Sequence, residues 1–330
     1  TWDTNAVTID SNGNDFQNSA DTFTVDYDTE GQGINIVYSG DTNGWIPNSD
    51  IANAFDHTAP PLQRAIFAYG TSGSGKVTMS NLVASNGVIA SDVSGVGSVK
   101  TGGGGASYGG DKGILVSGAS GRYTTACSIG ADKAMFLYGY GWNGSANVDF
   151  GKKNLVSNLG VVSADADVAG TARRYPAATR YGGSDGGKAI VAYGAPSASV
   201  TNISNLIDGN GGVGSDVSGV GTSRANLAAS PYGGDKAIFA YGHTSTNVGM
   251  SNKVSNEGVV ATDVSVVGTA RRDLYGAPYG GDKGVFAYGQ TGSKLNVKNL
   301  VNNSGVIQAD VTGVGTARAG VVASAYSTSA

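Results

Sequence analysis

One unit of about 48 residues recurs along this chain, and that repetition restricts the fold more than any other feature. Residues 223–242 read SRANLAASPYGGDKAIFAYG and residues 271–289 read RRDLYGAPYGGDKGVFAYG. The second half of the unit is as regular. Residues 252–271 read NKVSNEGVVATDVSVVGTAR, and 299–318 read NLVNNSGVIQADVTGVGTAR. A fixed period of this size implies a solenoid, a propeller or an array, because one unit cannot bury its own apolar faces without neighbours.

Two landmarks set the register. Tyr-Gly ends an apolar run at Tyr69, Tyr138, Tyr193, Tyr241 and Tyr288, with gaps of 69, 55, 48 and 47 residues. The first gap holds an extra half-unit, GDKGILVSG at 110–118, with Ser117 in the tyrosine slot. The second landmark is Asp-Val, a glycine-rich turn and a basic residue: Asp92 to Lys100, Asp167 to Arg173, Asp216 to Arg224, Asp263 to Arg271 and Asp310 to Arg318. The chain therefore carries six copies of the first half and five of the second.

Within the unit, KAIFAY (236–241) and KGVFAY (283–288) are short, glycine-bounded, β-branched and aromatic runs, which predict strands. The preceding Gly-Gly-Asp-Lys supplies residues for a tight hairpin turn. With 54 glycines in 330 residues and no sustained 3.6-residue period, helices are not expected. Four short strands per unit is the content of a propeller blade. The first apolar strand, RAIFAYG at 64–70, lacks the TAR…AA…YGG segment that precedes later copies, and 316–326 (TARAGVVASAY) supplies a stray one. The reading is an all-β, kelch-like β-propeller over 62–330, closed by the C-terminal strand, with five full blades. The half-unit at 110–130 is either a truncated sixth blade or an inserted hairpin. The alignment of RYTTACSIGADK (122–133) with 224–236 favours about six blades in total.

Residues 1–50 carry no copy of the repeat. Segments 5–10, 22–28, 34–40 and 44–47 read as strands of a small β-module, and 51–61, with Pro60-Pro61, reads as a linker. So small a module predicts packing on symmetry copies of itself, on residues upstream of it or on the propeller. The chain opens Thr-Trp-Asp, without Met or a signal peptide, and reads as the middle of a longer polypeptide. Net charge is −4 and no basic face is evident, which argues against nucleic acid. No stretch is long and apolar enough for membrane insertion. Cys127 is alone, so it forms no internal disulfide.

The repeat resembles kelch units in layout: a Gly-Gly turn, an aromatic-apolar strand ending in glycine, a variable loop, then two more strands. It lacks the kelch outer-strand tryptophan. It is similar to a glycine-rich, kelch-like repeat of structural proteins of tailed bacteriophages, particularly those of cyanobacteria. The pattern there is NLVSNTGVV…DVxGVGTAR…YGGDKAIFxYG, matched here at 154–173, 205–224, 252–271, 299–318 and the YGGDK hairpins. The N-terminal segment, with landmarks at 8–13 and 37–45, resembles a β-module of phage tail-fibre and spike proteins. The resemblances imply a virion surface protein carrying its propeller on a stalk, with trimeric stalk modules.

Several motifs imitate chemistry. GTSGSGKV at 70–77 spells a P-loop, but Val77 stands where the magnesium hydroxyl belongs and the segment aligns with interstrand loops. The acidic run at 10–21 has Asp15 and Asp21 where an EF-type calcium loop needs Gly and Glu, so a hairpin turn is expected. Two histidines (His57, His243), one cysteine and two glutamates (Glu30, Glu257) leave no metal site and no catalytic triad to assemble. An aspartate-based depolymerase is the enzymatic alternative; the reading is a non-enzyme without cofactors. The repeated Asp167, Asp216, Asp263 and Asp310 and Arg173, Arg224, Arg271 and Arg318 read as structural, the arginines reaching either that Asp or the next blade.

Recognition is what is left. The repeats diverge most in the loops after each Tyr-Gly, at 71–79, 140–149, 195–202, 243–250 and 290–296. The longest carries Tyr140, Trp142 and Asn143, a set suited to stacking on a sugar, and His243 lies in a second loop. Trp142 folding back on its own blade is the bland alternative. The expected function is a tail-fibre or spike protein on the virion surface that binds a host glycan. Its partners would be other virion proteins and copies of itself. The alternatives are a structural or decoration subunit packed on virion proteins, or a secreted carbohydrate-binding propeller.

Overall fold

The computed structural model describes residues 7–9, 25–27, 35–39, 44–47, 64–95, 98, 101–116, 121–183 and 187–327. The linker expected at 51–61, His57, the acidic run at 10–21, Lys100 and Ser117 lie outside these residues. The chain divides into two compact units, Thr1–Ala59 and Pro60–Ala330.

In the first unit, Val7–Ile9 pairs antiparallel with Val25–Tyr27, and Ile36–Tyr38 with Trp45–Pro47. Each strand falls inside a segment whose alternation predicts one. The rings of Tyr38 and Trp45 lie 5.3 Å apart across the second pair, an aromatic cross-strand contact that fixes its register.

The second unit is a five-blade β-propeller arrangement of antiparallel sheets. Blade 1 orders Val322–Tyr326, Arg64–Ala68 and Ser80–Val83. Blade 2 orders Thr125–Ile129, Lys133–Leu137, Lys152–Val156 and Ala166–Asp167. Blade 3 orders Ala177–Tyr181, Lys188–Ala192 and Ser204–Ile207. Blade 4 runs from Ala228–Tyr232 through Lys236–Ala240 and Met250–Val254 to Val264–Ser265. Blade 5 runs from Tyr275–Tyr279 through Lys283–Ala287 and Val297–Val301 to Val311–Thr312. The second strand of each is nearly all apolar because it is covered on both faces: Ala237, Ile238, Phe239 and Ala240 are fully buried. The turn before it needs glycine, since Gly233 and Gly234 have φ of 62° and 81°.

A separate hairpin, Gly104–Tyr108 with Lys112–Val116, lies between blades 1 and 2. Ser107 Oγ donates to Ala325 O at 2.7 Å on one side, and the Ser107 N–H donates to Ser128 Oγ at 3.2 Å on the other. Gly105 is required there, because a Cβ would come within 2.1 Å of Ala323 O. The P-loop spelling is a small hairpin: Thr71–Ser72 pairs with Gly75–Lys76 and no helix follows.

Backbone hydrogen bonds stitch the inner ends together. Gly102 N–H donates to Gly320 O (3.0 Å), Gly320 to Asp273 (2.8 Å), Asp273 to Asn226 (3.1 Å), Asn226 to Tyr175 (3.3 Å) and Tyr123 to Gly102 (2.7 Å). All six residues have φ between 56° and 67°. That conformation costs an L side chain on the order of 1–3 kcal/mol, and its recurrence at one place in the unit shows the ring dictating backbone geometry.

Between blades the repeated polar residues form one device. In blade 4 the Thr222 hydroxyl and N–H donate to Asp263 at 2.7 and 2.9 Å, and Asn252 Nδ2 donates to Asp263 Oδ1 at 2.9 Å. Arg224 Nη2 donates to Asn252 Oδ1 at 2.7 Å, with its guanidinium carbon 4.1 Å from the centre of the Tyr193 ring. Arg173, Arg271 and Arg318 repeat this with Asn205, Asn299 and Asn81, and all four arginines are fully buried. The repeated Arg thus reaches the neighbouring blade through Asn, with Asp263, Asp310 and Asp92 3.6–3.9 Å from their arginines.

Blade 2 corrects the expected register. Asn154 Nδ2 donates to Asp165 Oδ1 at 2.8 Å, the same eleven-residue step that joins Asn205 to Asp216. Asp165 therefore holds the repeat slot. Asp167 lies on the exposed outer strand, 2.6 Å from Lys152. Its Asp-Val dipeptide imitates the landmark, but pairing distance from the Asn decides which carboxylate faces the amide.

Partial burial pushes Asp92, Asp216, Asp263 and Asp310 up. The Thr hydroxyl, the Asn amide, the Thr N–H and the nearby Arg outweigh it and hold each carboxyl below its usual range. A folded-state pKa below the unfolded value stabilises above the ordinary carboxyl range, and that contribution is lost as pH falls through the folded pKa. Acid titration of unfolding should therefore show stability declining below about pH 4. In Asp310→Asn that decline should be shallower, on a lower neutral-pH baseline; an unchanged slope would remove this junction from the acid response.

Candidate binding site on the loop face

The six left-handed residues at the inner ends of the units also line a depression of about 600 Å³. Its walls come from three of the five loops expected to carry function. Thr71 and Lys76 come from the first, His243 from the fourth, and Gln290 and Lys294 from the fifth. The scaffold places them there because the five landmark tyrosines, Tyr69, Tyr138, Tyr193, Tyr241 and Tyr288, follow their strands at positive φ, for example 62° at Tyr241 and 64° at Tyr288. The chain reverses at this point and the next loop rises over the inner ends.

The floor contains two stacked rings, Tyr123 and Tyr175, with centroids 3.9 Å apart and planes inclined by 35°. Burial and the hydrogen-bonded Tyr123 push the Tyr175 phenol well above its ordinary value, so it is a neutral donor. Beside them, Asp273 accepts from Asn226 Nδ2 and Gln290 Nε2, both at 2.6 Å, and lies 3.5 Å from Arg272. Among the described residues Asp273 is the only carboxylate lining the depression and is thereby compensated, while Lys76, Lys294 and Arg272 contribute positive charge. Partial burial, with Arg272 adding to it, lowers the His243 pKa, so the imidazole is neutral at pH 7. The arrangement offers aromatic faces, amide and imidazole hydrogen-bonding groups and cations around one cleft. It offers no pair of free carboxylates.

The expected site residues divide. His243 lines the depression; Tyr140, Trp142 and Asn143 do not. Trp142 is 56% exposed, which sets aside its folding back onto the blade. The guanidinium carbon of Arg174 lies 3.9 Å from the centre of the Tyr140 ring, and Arg174 donates to Asp149 at 2.8 Å. Asn143 Oδ1 accepts from the Ser145 and Ala146 N–H groups at 2.9 and 2.8 Å, so its side chain closes its own turn. The 140–149 loop is a braced projection with one exposed aromatic at its tip. Sequence reasoning reached Gln290 only as part of the 290–296 loop and missed Tyr123, Tyr175 and Arg272. The signal was present in the residue two after the repeated Arg: Tyr175, Asn226, Asp273 and Gly320 differ in every copy.

Among the described residues, no group of three or more His, Cys, Asp or Glu comes together to hold a metal, and no helix is long and apolar enough to cross a membrane. No family model matches the chain, and no curated protein matches its sequence.

Proposed function

We propose that this protein is a non-enzymatic virion surface protein of tail-fibre or spike type, whose propeller binds a host-surface glycan in the loop-face depression. The observation that carries this reading is the Tyr123–Tyr175 pair set among Gln290, His243 and the lysines. A pyranose ring presents an apolar face for stacking and hydroxyls for amides, and sugar sites combine these two features. The proposal includes a stalk role, as a trimer, for the N-terminal module. It also counts the hairpin at 104–116 as a truncated sixth blade and takes the C-terminal strand as the closure of the ring. The hydrogen-bond relay running through Gly102 supports that count.

The test is a glycan-array and whole-cell binding assay of the intact chain with Lys294→Glu, His243→Ala and Trp142→Ala. Lys294→Glu and His243→Ala are expected to weaken binding about tenfold each, the order of one lost hydrogen bond to a charged or buried group, with Trp142→Ala close to wild type. Loss confined to Trp142→Ala would move the site to the 140–149 loop. No binding to any glycan or cell would overturn the receptor reading.

One observation favours the second reading, a structural subunit packed on other virion proteins. Val93, Val217, Val264 and Val311 recur at one place in the unit, and Val88, Val161, Val259 and Val306 at another, all 47–66% exposed. Apolar groups repeated around a rim suit a protein partner better than a sugar.

A further inference from the structure

The inner strands of the five blades and the hairpin surround a central void of about 40 Å³. Their fourth positions all line it: Ser107, Ser128, Arg180, Pro231, Pro278 and Ala325. Five of the six are small or apolar, and one is an arginine. Among the described residues, Arg180 is the only formally charged side chain on the lining. The lining holds two other titratable groups, and neither supplies a counter-charge. Burial pushes the Cys127 thiol and the Tyr275 phenol each up to about 12, so both are neutral.

The contrast with the fully buried arginines is direct. Arg224 and Arg271 each have an Asn acceptor, two carbonyls, a tyrosine face and a nearby Asp. The Arg180 side chain has no hydrogen bond or ion pair among the described residues. Desolvation alone lowers its pKa, with no partner to raise it. Arg180 is half-buried rather than fully buried, and a guanidinium does not shed its proton in a protein, so the channel lining holds a partly desolvated cation with no counter-charge of its own.

We infer that the central channel is an anion site in which Arg180 binds one small monovalent anion of chloride size. The void limits the ligand: it accommodates about three or four water-sized bodies, at roughly 10–15 Å³ each, which is too little for a sugar or a phosphate ester. The site is separate from the glycan site and does not depend on it.

The test uses the intact chain in chloride against isethionate at constant ionic strength. Chloride is expected to raise Tm by roughly 2–4 °C for each tenfold rise above its Kd. In Arg180→Ser, which installs the residue found at 107 and 128, that response should vanish, and the variant should be at least as stable as wild type without chloride. Crystals grown in bromide should show an anomalous peak beside Arg180. An equal chloride response in Arg180→Ser, no chloride-specific shift in the wild type, or no bromide peak would each overturn the site and leave Arg180 solvated by channel water.

Discussion

Arg271→Ala is expected to cost about 3–5 kcal/mol of stability, the range for removing one partner of a buried charged network. In thermal unfolding this is a fall of roughly 6–20 °C in Tm for a domain of this size. Arg271 donates to Tyr288 O at 2.8 Å, Thr269 O at 3.2 Å and Asn299 Oδ1 at 2.7 Å, with its guanidinium carbon 4.3 Å from the centre of the Tyr241 ring. Alanine leaves those acceptors in a dry space and opens a cavity under the ring. It also removes the cation from Asp310, 3.9 Å away. Arg271→Lys keeps the charge but cannot reach three acceptors from one planar group, so it should recover only part of the loss. Arg271→Met tests the opposite view, because it fills the volume without the charge. If methionine matched wild type, the network would contribute nothing net, as some buried ion pairs do. The four junctions are chemically alike but not equally satisfied: Nε and Nη1 of Arg318 have no hydrogen-bond partner among the described residues, whereas every nitrogen of Arg271 has one. Arg318→Ala is therefore expected to cost less.

Removing residues 322–330 is expected to abolish the monomeric folded propeller. Val322–Tyr326 pairs along its length with Arg64–Ala68, and Val322, Ala323 and Ala325 are each about 1% exposed. Without this strand the Arg64–Ala68 edge is bare, and an unpaired apolar edge recruits other chains. Two more ties disappear with it: Ala325 O as acceptor for Ser107 Oγ, and the Ser327 N–H bond to Asp111 O at 2.9 Å. A five-residue ladder with its buried side chains is comparable in worth to the net stability of a domain, ~5–15 kcal/mol. Size-exclusion chromatography with limited proteolysis reads the outcome: aggregation, and cleavage within 64–83. A peptide of residues 320–330 added in trans should restore protection. A truncated chain that stays monomeric and resistant would show that blade 1 stands without its third strand.

The chain's own letters were enough for the repeat, for the all-β content and for the partner of the stray C-terminal segment. Each depends on local pattern: apolar runs of strand length, glycine where φ is positive, and a missing segment at one end matched by a surplus at the other. The tyrosine, aspartate and arginine landmarks were legible for the same reason, since a contact repeated between blades leaves the same residue in every copy. What the tertiary structure decided lies where copies differ. Asp165 rather than Asp167 takes the junction slot because distance along paired strands, and not a dipeptide, places a carboxylate beside Asn154. Tyr123 and Tyr175 stack although 52 residues separate them in sequence, because the ring sets two successive units side by side. Arg180 looks like an ordinary polar residue in a strand. Only the packing of the inner strands around it leaves it half-buried with no counter-charge among the described lining residues, and turns one departure from the repeat into the sole formal charge of that lining.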